Sequence, residues 1–436
     1  MANIFVQTFG CSANFAEGEI IKGLLSDSNH NIIQAKEEAD VIILNICTVK
    51  GNQNALKEIR KTNQDFPETK LIIAGCIPLD IIPEVRKIAY DVSFINTHNI
   101  NQIITVVEEA LADNPIEILT KTNLERINLP RIRHNPIVGI IPISNGCDSA
   151  CTFCSVKFIK GNTKSYAPET IINELKQCII DGCKEIWLTS QDTGCYGHDI
   201  NTNIVELLKK IIQVQGDFKI RLGMANPKHI KNYYKELVEI YKSNKMFKFL
   251  HIPVQSGSDF ILEKMRRDHT AQDYIRIIDY FRTQIPEMTF STDIICGFPG
   301  ETREMFEQTL ELIKITKTDV VNISRFSARE RTLAEKMPDQ ISEAEKKQRS
   351  TELTNIFWQI SEEQNKKWID WEGEIIIDEK GKNNEWLGRN YAYKQVVVNG
   401  SFELGQKINV KITSATKFAL KSIVLEKFLE LQGKDF

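Results

Sequence analysis

The sequence lacks a long apolar segment, since no run approaches the about 18 uninterrupted apolar residues of a membrane span. Its first residues lack a basic region followed by an apolar stretch, so we expect no signal peptide. The net charge is only −3 over 436 residues, which excludes a global attraction to nucleic acid. Any RNA-binding surface must therefore be a local patch. We expect a cytoplasmic, monomeric protein of two or three domains, because a typical domain has roughly 100–200 residues.

Cysteine, in contrast, is well represented, with ten residues. In a cytoplasmic chain they are expected to serve as metal or redox ligands rather than disulfides. Cys147, Cys151 and Cys154 form a C-x3-C-x2-C array on a predicted loop. Three thiolates can hold three irons of a [4Fe–4S] cluster and leave the fourth open to a small molecule. A zinc site is the alternative, and it would need a fourth ligand such as His134.

A second set of three cysteines lies in the first 125 residues. Apolar runs at 4–8, 39–47 and 70–76 alternate with helical patterns at 17–25 and 54–65, which predicts a parallel sheet. Cys11, Cys47 and Cys76 fall at or just beyond the carboxyl ends of these strands. Ligands bind at that edge of open α/β sheets, so we predict a second cluster site. The alternative is three ordinary buried cysteines.

From residue 137 the pattern predicts a (β/α)6 partial barrel. Its strands are predicted at 137–143, 185–190, 218–224, 248–254, 289–295 and 319–324, and its helices at 168–182, 202–214, 228–243, 271–283 and 302–316. Active sites of such barrels lie at the carboxyl ends of the strands. Polar or glycine-rich turns at 190–194, 255–258 and 297–301 follow three strands, and we expect a ligand to lie across them.

The periodicity of apolar residues changes in the C-terminal part of the chain. Residues 340–367 predict one amphipathic helix, and segments 374–378, 395–400, 406–412 and 422–426 predict a small closed β-barrel. Residues 380–421 contain eight Lys or Arg against two acids, interleaved with aromatic residues. Such a surface can contact phosphates and stack bases. From this stretch we select Arg389, Lys394, Lys411 and Lys417 as candidate RNA-binding residues.

These features together resemble the radical S-adenosylmethionine methylthiotransferases over essentially the whole chain. The resemblance rests on both cysteine triads, on Phe153 before Cys154, on the 297–301 turn and on the terminal barrel. It implies an α/β protein with an N-terminal cluster domain (1–125), a radical S-adenosylmethionine barrel with its trailing helix (126–367) and a TRAM domain (368–436). The archaeal and eukaryotic branch is indicated by Lys157, Lys160-Gly161, Ser165-Tyr166 and segments 185–194, 221–227 and 251–256.

That branch converts N6-threonylcarbamoyladenosine at tRNA position 37 into its 2-methylthio form. The resemblance implies two [4Fe–4S] clusters, S-adenosylmethionine, a tRNA anticodon loop, a sulfur donor and an electron donor. The Cys147/Cys151/Cys154 cluster would reduce S-adenosylmethionine to a radical that abstracts hydrogen from C2 of the adenine. The Cys11/Cys47/Cys76 cluster would supply the sulfur.

Other residues receive weaker assignments. Gln191 and Asp293, at strand ends, are candidate contacts of S-adenosylmethionine, although Asp293 could instead cap the following turn. Cys178, Cys183 and Cys296 are predicted to pack in the core, and the role of Cys195 is left open. Two stretches depart from the family pattern: 326–332 lacks the usual prolines and glycine, and Asn201 replaces an expected glycine.

Three alternative functions remain at this point. Two keep the chemistry and change the substrate, to isopentenylated adenosine in tRNA or to an aspartate of a ribosomal protein. The third is a non-catalytic RNA-binding protein with structural metal sites.

Overall fold

The computed structural model describes residues 1–47, 52–122 and 125–425. The predicted fold class is confirmed: a parallel α/β sheet is followed by a partial α/β barrel and a closed β-barrel. The predicted end of the last strand, Glu426, lies outside the described residues. In the described ranges, no helix is apolar over enough of its length to traverse a bilayer.

The first sheet has six parallel strands, in the chain order 2-1-3-4-5-6. The strands are Asn3–Thr8, Asn31–Ile33, Val41–Ile46, Lys70–Gly75, Ser93–Asn96 and Glu117–Ile118, and the α-helices are Ser12–Asp27, Asn52–Asp65, Ile82–Ile88 and Ile103–Leu111. The three predicted strands are confirmed. The other three were missed because they have only two to four residues, too few to show a continuous apolar run.

All six predicted strands of the partial barrel are present, as two parallel three-stranded sheets. They are Val138–Pro142, Glu185–Thr189, Lys219–Leu222, Phe249–His251, Thr289–Cys296 and Val320–Arg325. The principal helices are Pro168–Ile180, Ile204–Ile212, Pro227–Ile230, Tyr234–Tyr241, Ala271–Gln284 and Arg303–Thr316. An isolated parallel bridge between Ile220 and Met246 connects the two sheets.

The single helix predicted over 228–243 is wrong, because the chain leaves helical geometry at Tyr233 (φ −141°). The tertiary structure explains the break. The Tyr233 hydroxyl donates to the carbonyl of Gly194 at 2.5 Å, on the turn after a neighbouring strand. Apolar spacing cannot reveal such a contact.

Helix Glu343–Lys366 connects the partial barrel to a closed five-stranded barrel. The barrel strands are Glu372–Lys380, Glu385–Arg389, Gln395–Asn399, Lys407–Ala415 and Leu420–Val424. Strand Glu385–Arg389 was not predicted, because Gly388 and two charged residues interrupt its apolar pattern. Inside the barrel, Ile375, Ile377, Val396, Val410 and Ile412 form the core.

The segment before residue 137 contains several basic residues, and its arginines are paired within the fold. Arg126 bonds Glu17, Arg131 bonds Glu174 at 2.9 Å, and Arg133 bonds Asp181 at 2.7 Å. This segment therefore fastens the first sheet to the partial barrel.

Candidate active site

The loop that carries Cys147, Cys151 and Cys154 is held at both ends. The Cys147 amide donates to the carbonyl of Gly161 at 3.1 Å, and the Cys154 amide donates to the carbonyl of Cys151 at 3.1 Å. Gly146 has φ +83°, and a Cβ there would lie 2.0 Å from the Asn162 carbonyl oxygen, so only glycine fits. All three thiols are partly exposed, which suits ligands of an open cluster.

A buried arginine lies against this loop. Arg267 Nη1 donates to Cys151 Sγ at 3.4 Å, and Nη2 donates to the Pro253 carbonyl at 2.6 Å. A guanidinium in this position can offset the negative charge of a cluster held by the loop. Burial, with the Asp192 carboxylate adding to it, raises the pKa of Cys147 to about 12, so metal binding must displace its proton. The sequence carried no pattern that would have singled out Arg267.

Cys11, Cys47 and Cys76 follow three strands that are adjacent in the first sheet. Strand Val41–Ile46 pairs with Asn3–Thr8 on one side and with Lys70–Gly75 on the other, all in parallel. The three cysteines therefore share one edge, as expected. The Cys11 thiol hydrogen-bonds Cys47, and this contact, together with burial, raises its pKa.

Two glycines allow the backbone to pack closely beside this triad. Gly10 and Gly75 directly precede Cys11 and Cys76 and have φ of +152° and +94°. A Cβ on Gly10 would lie 2.6 Å from the Cys47 Cβ, and one on Gly75 would lie 2.2 Å from Asn45 Oδ1. A larger residue at either position would displace a cysteine or its support.

Lys160 physically connects the two triads. It ends the short helix Val156–Lys160 that follows Cys154, and its side chain extends into the first sheet. Its Nζ lies 2.6 Å from Glu17 Oε1 and 2.6 Å from Thr97 Oγ1, and it also hydrogen-bonds Cys76. Burial raises the pKa of Cys76 to about 12, and the Lys160 ammonium opposes that rise. The second triad thus has a buried cation beside it, as the first has Arg267.

Residues that directly follow one cysteine of each triad line the same cleft. A cavity of about 110 Å³ is lined by Ile77, which follows Cys76, and by Ser155, which follows Cys154. Glu330 and Arg331, from the stretch that departs from the family pattern, complete its wall. A second link lies nearby, where Ser12 Oγ and Thr189 Oγ1 are 2.8 Å apart. A substrate in this cleft would lie beside residues that neighbour both sets of cysteines in the sequence.

Gln191 and Asp293 both occupy the predicted rim. Gln191 Oε1 accepts the Gly146 amide at 2.7 Å and so supports the cysteine loop. Asp293 Oδ1 lies 2.9 Å from His251 Nε2 and accepts from Asn322 Nδ2 at 2.8 Å, and it does not cap a turn through these bonds.

The glycine-rich turns of the rim have structural causes that the sequence did not indicate. A Cβ on Gly257 would lie 2.4 Å from the Gln308 carbonyl oxygen, and one on Gly297 would lie 2.4 Å from Lys346 Cγ. The Gly297 amide donates to Glu301 Oε2 at 2.7 Å, and Glu301 is paired with Arg349. These two glycines permit close packing against helices Arg303–Thr316 and Glu343–Lys366, and the expectation of a ligand across the turns stays a prediction.

The four candidate RNA-binding residues have different environments. Lys394 is buried and bonds Asp319 at 2.7 Å, and Arg389 is half-buried and bonds Asp378 at 2.8 Å. Lys394 and Arg389 therefore form ion pairs inside the protein and are not placed to contact RNA. Lys411 pairs with Glu372 on the barrel surface, and Lys417 Nζ lies 3.3 Å from the centre of the Trp358 ring beside the exposed Phe418. Only the latter two face solvent enough to meet a phosphate.

Comparison with known families agrees with the three parts of the chain. Residues 3–96 match the family described as Uncharacterized protein family UPF0004, residues 141–313 match the Radical SAM superfamily, and residues 372–425 match the TRAM domain. Among solved structures, the radical S-adenosylmethionine methyltransferase TsrM from Kitasatospora setae superposes with a TM-score of 0.51 at 11% identity, covering 74% of this chain and 73% of TsrM. That likeness concerns the fold alone.

Relatives of higher identity extend over nearly the full length. A protein of Pyrococcus horikoshii named probable threonylcarbamoyladenosine tRNA methylthiotransferase is 39% identical over 403 residues, or 91% of this chain and 94% of that protein. The human threonylcarbamoyladenosine tRNA methylthiotransferase is 35% identical over 434 residues, or 96% of this chain and 73% of that protein. The chain therefore belongs to the threonylcarbamoyladenosine tRNA methylthiotransferase family.

Proposed function

We propose that this protein converts N6-threonylcarbamoyladenosine at position 37 of tRNA into its 2-methylthio derivative. The observation that carries the proposal is the contact of Lys160, which ends the helix after Cys154, with Cys76 of the other triad, because this contact brings the two triads close together. Two cofactors that act on one base must both reach it, and neighbouring triads meet that requirement.

The residues fit the implied cofactors. Cys147, Cys151 and Cys154 would hold one [4Fe–4S] cluster together with S-adenosylmethionine, with Gln191 and Asp293 as contacts of the latter. Cys11, Cys47 and Cys76 would hold a second cluster. Each triad offers three thiols beside a buried cation, Arg267 or Lys160, which offsets the charge of an anionic cluster. When bound, these groups supply the radical and sulfur chemistry that substitution of a strong aromatic C–H bond requires.

The chain's own residues bind and orient the substrate. An anticodon loop is already single-stranded, so moving one base into the cleft costs little stacking energy. Lys411 and Lys417 are the proposed phosphate contacts, and the exposed Phe418 offers a stacking face. We assign these roles to three domains, 1–125, 126–367 and 368–436, in a monomeric cytoplasmic enzyme that also needs a sulfur donor and an electron donor.

Single-cysteine variants test the division of labour. In an anaerobic assay with reductant and S-adenosylmethionine, Cys151→Ala should abolish 5′-deoxyadenosine. Cys47→Ala should still form 5′-deoxyadenosine and lose methylthiolation. The wild type should hold about eight irons per chain, and each variant about four. Intact methylthiolation in Cys47→Ala would contradict the role of the second triad.

Mass spectrometry of tRNA nucleosides from a deletion strain tests the substrate. Loss of 2-methylthio-N6-threonylcarbamoyladenosine supports the proposal. Its persistence, with loss of 2-methylthio-isopentenyladenosine or of a modified ribosomal aspartate, would instead favour one of the other substrates. A wild-type protein that contained zinc and no iron would favour the non-catalytic alternative.

A further inference from the structure

Three buried side chains with metal-ligating atoms meet behind the Cys147 loop. Asp192 and Cys195 belong to the turn after strand Glu185–Thr189, and His229 lies on the short helix Pro227–Ile230 after the next strand. One donor atom from each residue lies within 4.8 Å of the donor atoms of the other two. Cys195 is the cysteine to which the sequence assigned no role.

Two polar atoms of this group have no hydrogen-bond partner among the residues that the structure describes. Asp192 Oδ1 accepts the amides of Gly194 and Asn226 at 2.9 and 3.0 Å, whereas Oδ2 is buried and unsatisfied. His229 Nε2 is likewise buried and unsatisfied. The side chains of Asp192 and His229 are 1% and 7% exposed. An unsatisfied buried polar atom costs about 1–3 kcal/mol, so two facing each other in a folded protein need an explanation.

A direct hydrogen bond between these two atoms does not provide it. Asp192 Oδ2 and His229 Nε2 are 3.6 Å apart, which is long for a hydrogen bond.

The same separation suits two ligands of one metal ion. With zinc-to-ligand distances of about 2.0–2.3 Å, neighbouring ligand atoms in a tetrahedral shell lie roughly 3.3–3.7 Å apart. We propose that Asp192, Cys195 and His229 form a mononuclear binding site for a zinc-like divalent cation, separate from both cysteine triads.

The charges favour such an ion. A dication bound by one carboxylate, one thiolate and one neutral imidazole gives a neutral assembly, which reduces the cost of burying charge. Carboxylate, sulfur and imidazole ligands match the preference of zinc. The hydroxyl of Thr163 lies 3.3 Å from Cys195 Sγ, at the edge of this group.

The ion would stabilise the rim of the partial barrel by joining two of its segments. It would join the turn that carries Gln191 to the segment that carries Asn226, whose Nδ2 lies 3.4 Å from Ser149 Oγ on the cysteine loop. The exposed His198 packs on His229 with ring centroids 5.0 Å apart, so the group lies one ring away from solvent on this side.

The test uses the holoenzyme, in which iron–sulfur clusters occupy the triads. After incubation with zinc chloride and desalting, we expect about one zinc per chain by elemental mass spectrometry. The zinc K-edge absorption spectrum should fit one sulfur and otherwise nitrogen or oxygen neighbours. Absence of zinc, or three sulfurs per zinc, would overturn the proposal, the latter because zinc would then occupy a cysteine triad.

Variants separate this site from other cysteines. Cys195→Ala and His229→Gln should each lower zinc affinity at least about tenfold, the effect expected even for second-sphere changes. Cys296→Ala removes another fully buried cysteine and should retain zinc. Iron content and melting temperature report whether each variant is folded. Equal zinc binding in a folded His229→Gln variant would also overturn the proposal, whatever the outcome of the methylthiolation assay.

Discussion

At the scale of single residues, the two cysteine triads depend on buried cations that lie outside both motifs. Lys160 is the clearer case, because its helix belongs to one triad and its ammonium contacts the other. A fully buried lysine is rare unless it is paired. Here Glu17 provides the pair, and Arg126 shares the same carboxylate.

We predict that Lys160→Met weakens the second cluster selectively. The Lys160 ammonium hydrogen-bonds Cys76 and opposes the effect of burial on its pKa. Without the ammonium, burial alone disfavours the negatively charged thiolate of Cys76. Iron should fall from about eight to about four per chain, while 5′-deoxyadenosine is still formed. Anaerobic reconstitution followed by iron and sulfide analysis measures this.

Lys164→Met is the matched control, since Lys164 is exposed and lies four residues further along the chain. It should keep the wild-type iron content. Lys160→Arg preserves the charge and should recover part of the loss. Full iron content in Lys160→Met would show that the ammonium is not needed.

At the scale of elements, helix Glu343–Lys366 links the rim to the C-terminal barrel. Its 24 residues span roughly 36 Å. Near its start, Arg349 pairs with Glu301 of the rim turn at 2.8 Å, and near its end Ser361 and Asn365 donate to the barrel carbonyls of Lys417 and Thr416. The amphipathic pattern predicted the helix but neither of its partners.

We predict that Arg349→Met destabilises the protein markedly. The side chains of Arg349 and Glu301 are 5% and 1% exposed, so the change leaves an unpaired buried carboxylate. Loss of one partner of a buried pair costs about 3–5 kcal/mol. The melting temperature should fall, as measured by circular dichroism or calorimetry.

Arg303→Met provides the comparison, because Arg303 pairs with Glu352, which lies on the same helix as Arg349, Glu343–Lys366. The Arg303–Glu352 pair is 40% and 32% exposed, and exposed pairs contribute about 0–1 kcal/mol. The melting temperature of the Arg303→Met variant should therefore stay close to that of the wild type. Equal effects of the two variants would contradict the structural role of the Arg349–Glu301 pair.

At the scale of the whole molecule, the C-terminal barrel docks away from the cysteines. Its contacts are with residues that precede the strands of the partial barrel: Tyr391 accepts from Lys248, Lys394 bonds Asp319, and Lys407 bonds Asp217. The cysteines lie at the opposite, carboxyl ends of those strands. A tRNA that contacts both must therefore extend along the side of the molecule.

We predict that Glu185 makes this interface sensitive to pH. Burial, and then the carboxylate of Asp378 in the barrel, raises the pKa of Glu185 to about 7. The folded state thus keeps a proton that the unfolded state, with an ordinary pKa near about 4.3, has already released. The contribution of Glu185 to stability should be highest at low pH, fall between about pH 4.5 and 7, and then level off.

Glu185→Gln should remove this dependence, because the amide stays neutral at every pH. The variant should melt at a higher temperature than the wild type at pH 8 and at a similar one at pH 5. The exposed Glu239→Gln serves as the control and should follow the wild-type profile. A wild-type difference between pH 5 and 8 that persists in Glu185→Gln would refute the assignment.

The sequence by itself determined the order of elements, the two cysteine triads and the sheet edge at which each lies. These follow from short-range periodicity, because a strand in a parallel sheet dictates where its next loop emerges. Cys11, Cys47 and Cys76 could therefore be placed together from distant positions, and the family could be identified from motif spacing.

Only the tertiary structure decided which residues surround those motifs. Lys160, Arg267 and the Asp192, Cys195 and His229 group come from separate elements, and no periodic pattern connects them. Two basic residues selected as RNA contacts, Arg389 and Lys394, are engaged in ion pairs within the fold. Burial and pairing depend on three-dimensional contacts across the chain, whereas local composition records only that a charge is present.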